Sequence, residues 1–331
     1  MAEVLRAGVV GMGMMGRNHV RVLSALDGVE LVGIADPQGD RFGTAGRATV
    51  HTSPEALVEA GVDLCVVAVP TEDHERVALL LADAGVHVLV EKPLAHTLEA
   101  AERVAEAFEG AGLVGAVGHI ERFNPALRAL RDRLEAGELG EVFQIATSRQ
   151  GPFPARIKDV GVVKDLATHD VDLTAFVGGS PFESISARTA HKTGRPHEDL
   201  VAATGMLVDG TVTNHMVNWL SPYKERRTVV LGEKGAFVAD TLTADLTFHA
   251  NGTQATQWDA IGAFRGVVEG DVTRYAIAKP EPLRTELEAF RDAVLGEASG
   301  VVTMAEGLEV VRVAEAVLQA AASKQTITIE R

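Results

Sequence analysis

Two patterns of apolar residues alternate along the first third of the chain. Short continuous apolar runs lie at Val4–Val10, Glu30–Ala35, Val62–Val69, Val86–Val90 and Leu113–Val117. Unbroken runs of this length predict strands covered on both faces, as in a parallel sheet. Between them, apolar residues recur at helical spacing. Met15 to Leu26 follows a glycine-rich turn. Ser53-Pro54-Glu55 reads as an N-cap, a proline at the first helical position and a first-turn acid, opening a helix to Ala60. Thr71 reads as the cap of a helix from Glu72 to Ala84, ended by Gly85, and Thr97 as the cap of another from Leu98 to Glu109. The stretch 38–48 is a Gly-rich connection with some helical character. Strands alternating with helices predict a doubly wound parallel sheet, whose ligands sit at the carboxyl ends of the strands. Asp36, Pro70-Thr71, Glu91-Lys92 and His119 all fall at such ends.

After about residue 120 the pattern changes. Asn124-Pro125 opens a helix with Leu127, Leu130 and Leu134 on one face, ending at Gly137. Glu141–Arg149 reads as a strand, Gln150–Gly161 as a loop, and Asp165–Val177 as a helix closed by Gly178-Gly179. Strands then follow one another at Phe182–His191, Leu200–Val208, Thr211–Trp219, Thr228–Gly232 and Ala236–Asp240, with shorter pieces to Tyr275. Asp209-Gly210 is a hairpin signal. Helices at Thr285–Leu295 and Met304–Ser323 carry the capping-box spacings Thr285…Glu288 and Thr303…Glu306, and a short strand, Thr326–Ile329, ends the chain. The expected architecture is an α/β domain with a doubly wound parallel sheet over residues 1–121. An α+β domain with a large, mostly antiparallel open sheet follows over 122–331. That sheet exposes a broad face.

Composition narrows the function. The 331 residues are 46% hydrophobic and 23% charged, enough for two cores. The net charge of −15 disfavours a nucleic-acid partner, which needs clustered Lys and Arg. A phosphorylated ligand would need local positive charge, for which Arg149, Arg156 and Lys158 are candidates. No apolar run approaches the roughly 18 residues of a membrane span. No signal peptide is visible at the N-terminus, and the single cysteine, Cys65, sits in an apolar run, so a cytoplasmic location is expected. The histidines show no metal-ligand spacing, so no metal is expected.

Candidate chemistry begins at Gly11-Met-Gly13-Met14-Met15-Gly16, a G-x-G-x-x-G turn between strand and helix. Gly11 permits the turn, Gly13 admits a pyrophosphate and Gly16 lets helix and strand pack, while the N–H groups opening the helix, around Met14 and Met15, face the phosphates. Asp36 stands about 20 residues on, where a carboxylate meets ribose hydroxyls. A carboxylate repels a 2′-phosphate, so NAD is expected over NADP. Glu91-Lys92-Pro93 puts a lysine at a strand end. Alone it reads as a rim residue, but the proline, which fixes the backbone and admits a cis bond, turns the reading toward the ligand crevice. Asp165 and His169 stand at i and i+4, and Asp172 at i+3 from His169. On spacing alone this is equally a functional pair or a capping Asp with a satisfied helix His. In Gly118-His119-Ile-Glu-Arg122-Phe-Asn124-Pro125, Arg122 either holds a substrate carboxylate or phosphate or pairs with Glu121 or Asp132. The loop Gln150–Gly161 offers Arg156 and Lys158, as binding residues or as ordinary surface charges.

Together, Gly11-x-Gly13-x-x-Gly16, Asp36, Pro70-Thr71-x-x-His74, Glu91-Lys92-Pro93 and Asp165-x-x-x-His169-Asp170 resemble the Gfo/Idh/MocA oxidoreductase family over nearly the whole chain. Within it, Gly118–Pro125 and Gly151–Val163 look like members that oxidise UDP-N-acetylglucosamine at C3. Lys164 stands where that pattern has an aliphatic residue. The resemblance implies a Rossmann domain binding NAD through Gly11, Gly13, Met14, Met15, Gly16, Asp36, Pro70, Thr71, His74, Glu91, Lys92 and His119. It implies Lys92, Asp165 and His169 as the catalytic group, with Arg122, Asn124, Arg156, Lys158, Asp165 and His169 toward the substrate. In such a group the imidazole accepts the hydroxyl proton, the ammonium stabilises the developing alkoxide, and the carboxylate orients. Some family members give the acid/base role to the lysine instead. The resemblance also implies a homodimer or homotetramer built through the open sheet. The competing expectations are an inositol or simple-sugar dehydrogenase, a 3-ketosugar reductase, and a non-catalytic NAD-binding regulator. The last would be expected to lack the lysine or the histidine.

Overall fold

A computed structural model describes residues 4–154, 157, 160–252, 269–297 and 300–330; Arg156 and Lys158 lie outside the described residues. The chain divides into two compact units, Met1–Ile120 with Pro280–Arg312, and Glu121–Lys279 with Val313–Arg331.

In the first unit, β1 (Leu5–Val10), β2 (Val29–Ala35), β3 (Thr49–His51), β4 (Leu64–Val67), β5 (His87–Glu91) and β6 (Gly115–Gly118) form a sheet in the order β3-β2-β1-β4-β5-β6. Every pair is parallel. The order reverses between β1 and β4, the switch point where doubly wound sheets bind ligands. Helices α1 (Met14–Leu23), α2 (Pro54–Glu59), α3 (His74–Asp83) and α4 (Leu98–Ala111) alternate with the strands. Ser53 and Thr97 cap as their sequence predicts, accepting from the Ala56 and Ala100 N–H groups. Thr71 does not: Thr71–Asp73 is a 3₁₀ turn, and α3 starts after it. β3 is an additional edge strand, and its exposed Thr49 and Val50 explain why no apolar run announces it.

Helix α7 (Pro282–Val294) packs Leu283, Leu287 and Phe290 into the core of this unit with Leu5, Val20, Leu23 and Leu26. Residues 280–312, which the sequence reading put with the second half, therefore complete the first unit. The Thr285 capping box is not formed, because α7 begins earlier, at Pro282; Thr285 donates its hydroxyl to Glu281 O and Glu288 pairs with Arg284. The second box is formed at the start of α8 (Met304–Ser323), where Glu306 Oε2 accepts from the Thr303 N–H at 2.8 Å and Thr303 Oγ1 accepts from the Glu306 N–H at 3.2 Å. Among the described residues no helix is long and apolar enough to cross a membrane.

The second unit holds α5 (Pro125–Glu135), α6 (Thr168–Gly178) and a sheet of β7 (Val142–Pro152), β8 (Phe182–Ala190), β9 (Leu200–Leu207), β10 (Val212–Asn218), β11 (Leu220–Gly232), β12 (Gly235–Asp240), β13 (Asp245–Asn251), β14 (Glu269–Arg274) and β15 (Ile327–Thr328). Its order is β14-β13-β12-β11-β7-β10-β9-β8-β15. Only the β10–β7 pair is parallel among the described strands. The Asp209-Gly210 hairpin is present, with Gly210 at φ +91°. β11 starts at Leu220, well before the expected Thr228, because the polar stretch Ser221–Arg227 hides an exposed strand end from a hydrophobicity pattern. Alternation is regular along β7, where Ile145, Thr147 and Arg149 are buried beneath the sheet. The opposite face exposes Met206, Val212, Met216 and Leu231.

His215 sits on the buried face, its Nδ1 2.9 Å from Thr147 Oγ1. Burial pushes its pKa down from 6.5 to about 4. A depressed histidine pKa means the neutral form stabilises the fold. That contribution is complete above the unfolded value and is lost as pH falls through the window from 6.5 to about 4. The expected loss is about 3 kcal/mol. Thermal melts across this window should show it for the wild type and show a flatter profile for His215→Gln.

Candidate functional site

The glycine turn has the geometry a dinucleotide needs. Gly11 lies at φ +94°, and a Cβ there would run into the Ala68 backbone. A Cβ on Gly16 would collide with the Gly11 carbonyl. Gly13, by contrast, faces open space, with no atom within 4 Å of its missing Cβ. It is also the N-cap of α1 and offers no side-chain cap, so nothing from its own side chain competes for the first N–H groups at Met14 and Met15. The Asp36 carboxylate is held at the end of β2 by the N–H groups of Met12 and Gln38, each at 2.8 Å. A carboxylate has about four acceptor positions, so two hydrogen bonds leave room for ribose hydroxyls. These residues fit NAD.

Lys92 follows β5 and is half-buried, and its bond to Pro93 is cis. Its two neighbours are each held by a buried imidazole. Glu91 Oε1 lies 2.7 Å from His19 Nε2, which comes from α1. Burial alone would raise the Glu91 carboxyl, but the His19 bond and charge, with Lys92, outweigh it and hold it below the usual range. On the other side, His74 Nδ1 is 2.8 Å from Pro93 O and its Nε2 is 3.1 Å from Val69 O. Burial pushes the His74 pKa down, despite these two carbonyls. His74 thus sits between the ends of β4 and β5, with a backbone oxygen of each within reach of its ring. Pro70 and Thr71 follow β4 at the same edge of the sheet, and His119 is fully buried after β6. His19 belongs to no motif in the sequence. Its signal was a polar residue in the otherwise apolar stripe Gly16, Val20, Leu23 of α1.

In the second unit, Asp165 is not an N-cap. A π turn, Val163–Ala167, precedes α6 and contains Asp165, whose N–H donates to Gly161 O at 3.1 Å. The wider turn takes Asp165 and His169 off regular α-helical phase. Asp165 is buried and His169 half-buried. The start of this turn is capped from a distant loop: Glu198 Oε1 accepts from the Val163 N–H and Glu198 O from the Val162 N–H, both at 3.0 Å. Gly161 lies against that carboxylate, and a Cβ there would collide with it. No local sequence signal links Glu198 to a helix some 35 positions away.

Helix α6 is buried on nearly every side, including Asp170 and Asp172. Buried carboxylates require partners. Arg122 donates to Asp172 Oδ1 from Nε at 2.9 Å and Nη2 at 2.7 Å. Arg149 reaches Asp170 at 2.7 Å and Glu121 at 2.8 Å. Burial works against the Arg149 charge, but the two carboxylates outweigh it and keep the guanidinium firmly protonated. The charge of Arg149 is thus balanced within the unit, and it does not form the free positive cluster that the sequence offered. Asn124 caps α5 by accepting from the Ala126 N–H and donates to Thr241 O, both at 3.0 Å. Lys164 pairs with Glu315 at 2.8 Å. Among the described residues no group of three or more His, Cys, Asp or Glu could hold a metal ion.

Comparison with known proteins matches this arrangement. Residues 5–119 fit the Gfo/Idh/MocA oxidoreductase family, NAD-binding Rossmann fold, and residues 127–238 fit the Gfo/Idh/MocA C-terminal domain. The chain is 31% identical to inositol 2-dehydrogenase 2 of Saccharopolyspora erythraea, covering 98% of this chain and 96% of that protein. It is 30% identical to UDP-N-acetylglucosamine 3-dehydrogenase of Acidithiobacillus ferrooxidans, covering 88% of each. A solved structure of the latter enzyme, GnnA, superposes with a TM-score of 0.85 at 28% identity, covering 96% of this chain and 98% of that one. Fold, cofactor geometry and relatives agree: the chain belongs to the Gfo/Idh/MocA family of NAD-dependent oxidoreductases.

Proposed function

We propose that the protein is a dehydrogenase that moves hydride between NAD and a secondary alcohol of a sugar, at C3 of a nucleotide sugar such as UDP-N-acetylglucosamine. The observation that carries this reading is the match to a UDP-N-acetylglucosamine 3-dehydrogenase in sequence and in fold over nearly the whole chain. Gly11, Gly13, Met14, Met15, Gly16 and Asp36 hold the dinucleotide, which when bound supplies the hydride acceptor. Pro70, Thr71, His74, Glu91 and His119 shape the strand ends beside it.

Loss of hydride from a carbinol carbon requires loss of the hydroxyl proton. His169 takes that proton, since an imidazole titrates near neutral pH. The Lys92 ammonium stabilises the oxygen as it becomes an alkoxide. Asp165 bonds a neighbouring hydroxyl and orients the ring. In reduction the same groups return the proton. Arg156 and Lys158 serve the substrate side, with the first unit supplying the cofactor half and the second the substrate half. The exposed Met206, Val212, Met216 and Leu231 make the outer sheet face the surface through which copies of the chain assemble.

A second reading, an inositol dehydrogenase, draws on the 31% identity to such an enzyme. Incubation with NAD and either UDP-N-acetylglucosamine or myo-inositol, followed by NADH absorbance, separates the two. The expected result is a kcat/KM preference of roughly 100-fold for the nucleotide sugar. Preference for the inositol would replace the first reading with the second.

A further inference from the structure

Arg122, Arg149 and Arg226 are three arginines whose charges act on the acidic residues of α6 and of the turn before it. Arg122 is paired with Asp172, and Arg149 with Asp170 and Glu121. The third, Arg226 on β11, stands directly opposite Arg149 on β7. Opposed residues of an antiparallel pair project to one face. Arg226 therefore shares the face on which Arg149 meets α6. Its neighbour Glu225 projects to the other face, where it accepts from Ser148 Oγ and Gln150 Nε2. Arg226 is half-buried, and among the described residues its side chain makes two hydrogen bonds, both from Nη1 at 2.7 Å, to the backbone oxygens of Gln150 and Glu225. Those bonds aim the guanidinium and, among the described residues, leave Nε and Nη2 without a hydrogen bond. Burial and the Arg149 charge disfavour its protonated form, only partly offset by Asp170, Glu121 and Asp165.

A fixed, half-buried guanidinium with donors to spare is built for an anion. We propose that Arg226 anchors an anionic group of the substrate, a phosphate or a carboxylate, and so sets specificity for charged over neutral sugars. This deepens the functional proposal above and rests on its placing the substrate in the second unit.

The test compares wild type, Arg226→Met and Arg226→Lys on UDP-N-acetylglucosamine, glucuronate and myo-inositol, with NAD affinity measured separately. Loss of the guanidinium should raise KM for the anionic substrate by roughly 10- to 100-fold, with kcat within about threefold. Lysine should restore part of that loss, and NAD affinity and any turnover of myo-inositol should not change. Which of the two anions responds distinguishes a phosphate from a carboxylate. Equal losses on neutral and anionic substrates would make Arg226 a brace for β11 and overturn the proposal, as would an unchanged KM. If wild type turns over none of the three, calorimetric binding of UDP-N-acetylglucosamine and of glucuronate in the presence of NAD decides. Binding that the methionine variant loses supports Arg226 while the dehydrogenase reading fails. Binding that it retains, or none by wild type, overturns the anchor.

Discussion

Lys92→Met is expected to lower kcat by roughly 100- to 1,000-fold, the usual cost of removing one group that stabilises a developing oxyanion. Methionine keeps an unbranched stem of similar length while removing the charged head and its donors. The backbone on either side is held independently of the lysine side chain. Glu91 is anchored by the 2.7 Å bond to His19, and Pro93 O lies 2.8 Å from His74 Nδ1. The variant should therefore fold with a Tm near that of wild type. Steady-state kinetics at saturating NAD, with melting curves alongside, checks both parts. A kcat within a few-fold of wild type would remove Lys92 from the catalytic group. A large fall in Tm would mean that the lysine supports the strand end rather than the reaction.

The second large effect falls on the glycine turn, where two substitutions of the same kind should fail differently. Gly16→Ala puts a methyl group into the Gly11 carbonyl, so α1 must shift away from β1. Backbone cannot yield as a flexible side chain does, and a loss on the order of 3 kcal/mol is expected, together with loss of NAD binding. Gly13→Ala meets open space in the protein alone, so Tm should barely move. The added methyl instead occupies the approach of the pyrophosphate, so NAD affinity should fall by roughly 100-fold. Calorimetric NAD titration and thermal melts on both variants give the comparison. Equal stability losses would mean that the turn is not shaped as described, and unchanged NAD affinity in Gly13→Ala would move the pyrophosphate elsewhere.

The two halves of the protein differed in how much their sequence disclosed. In the first, continuous apolar runs marked five of the strands, because a strand covered on both faces has no polar positions to interrupt it. Only the exposed edge strand Thr49–His51 escaped. In the second, the polar stretch Ser221–Arg227 concealed the start of β11, since a strand end facing water carries no hydrophobic alternation. The same difference governs the candidate site. Gly11, Gly13, Gly16 and Asp36 could be read from spacing, because one turn and the next strand end fix their relation locally. The buried bonds His19–Glu91, Arg122–Asp172, Arg149–Asp170 and Val163–Glu198 join residues 72, 50, 21 and 35 positions apart, and no spacing rule connects such partners.

By itself, then, the chain's sequence determined the alternation of strands and helices, the class of fold and the dinucleotide turn, all consequences of periodicity and of what glycine and proline permit within a few residues. The tertiary structure alone decided which charges are spent on one another and which are not. Arg149 and Arg226 look alike as letters. One meets Asp170 on α6 and Glu121 just before α5; the other, opposite it on the neighbouring strand, has among the described residues hydrogen bonds from its side chain to carbonyls alone. Charge compensation depends on distances of a few ångströms between segments remote in sequence, and those distances exist only once the sheet has closed over its helix.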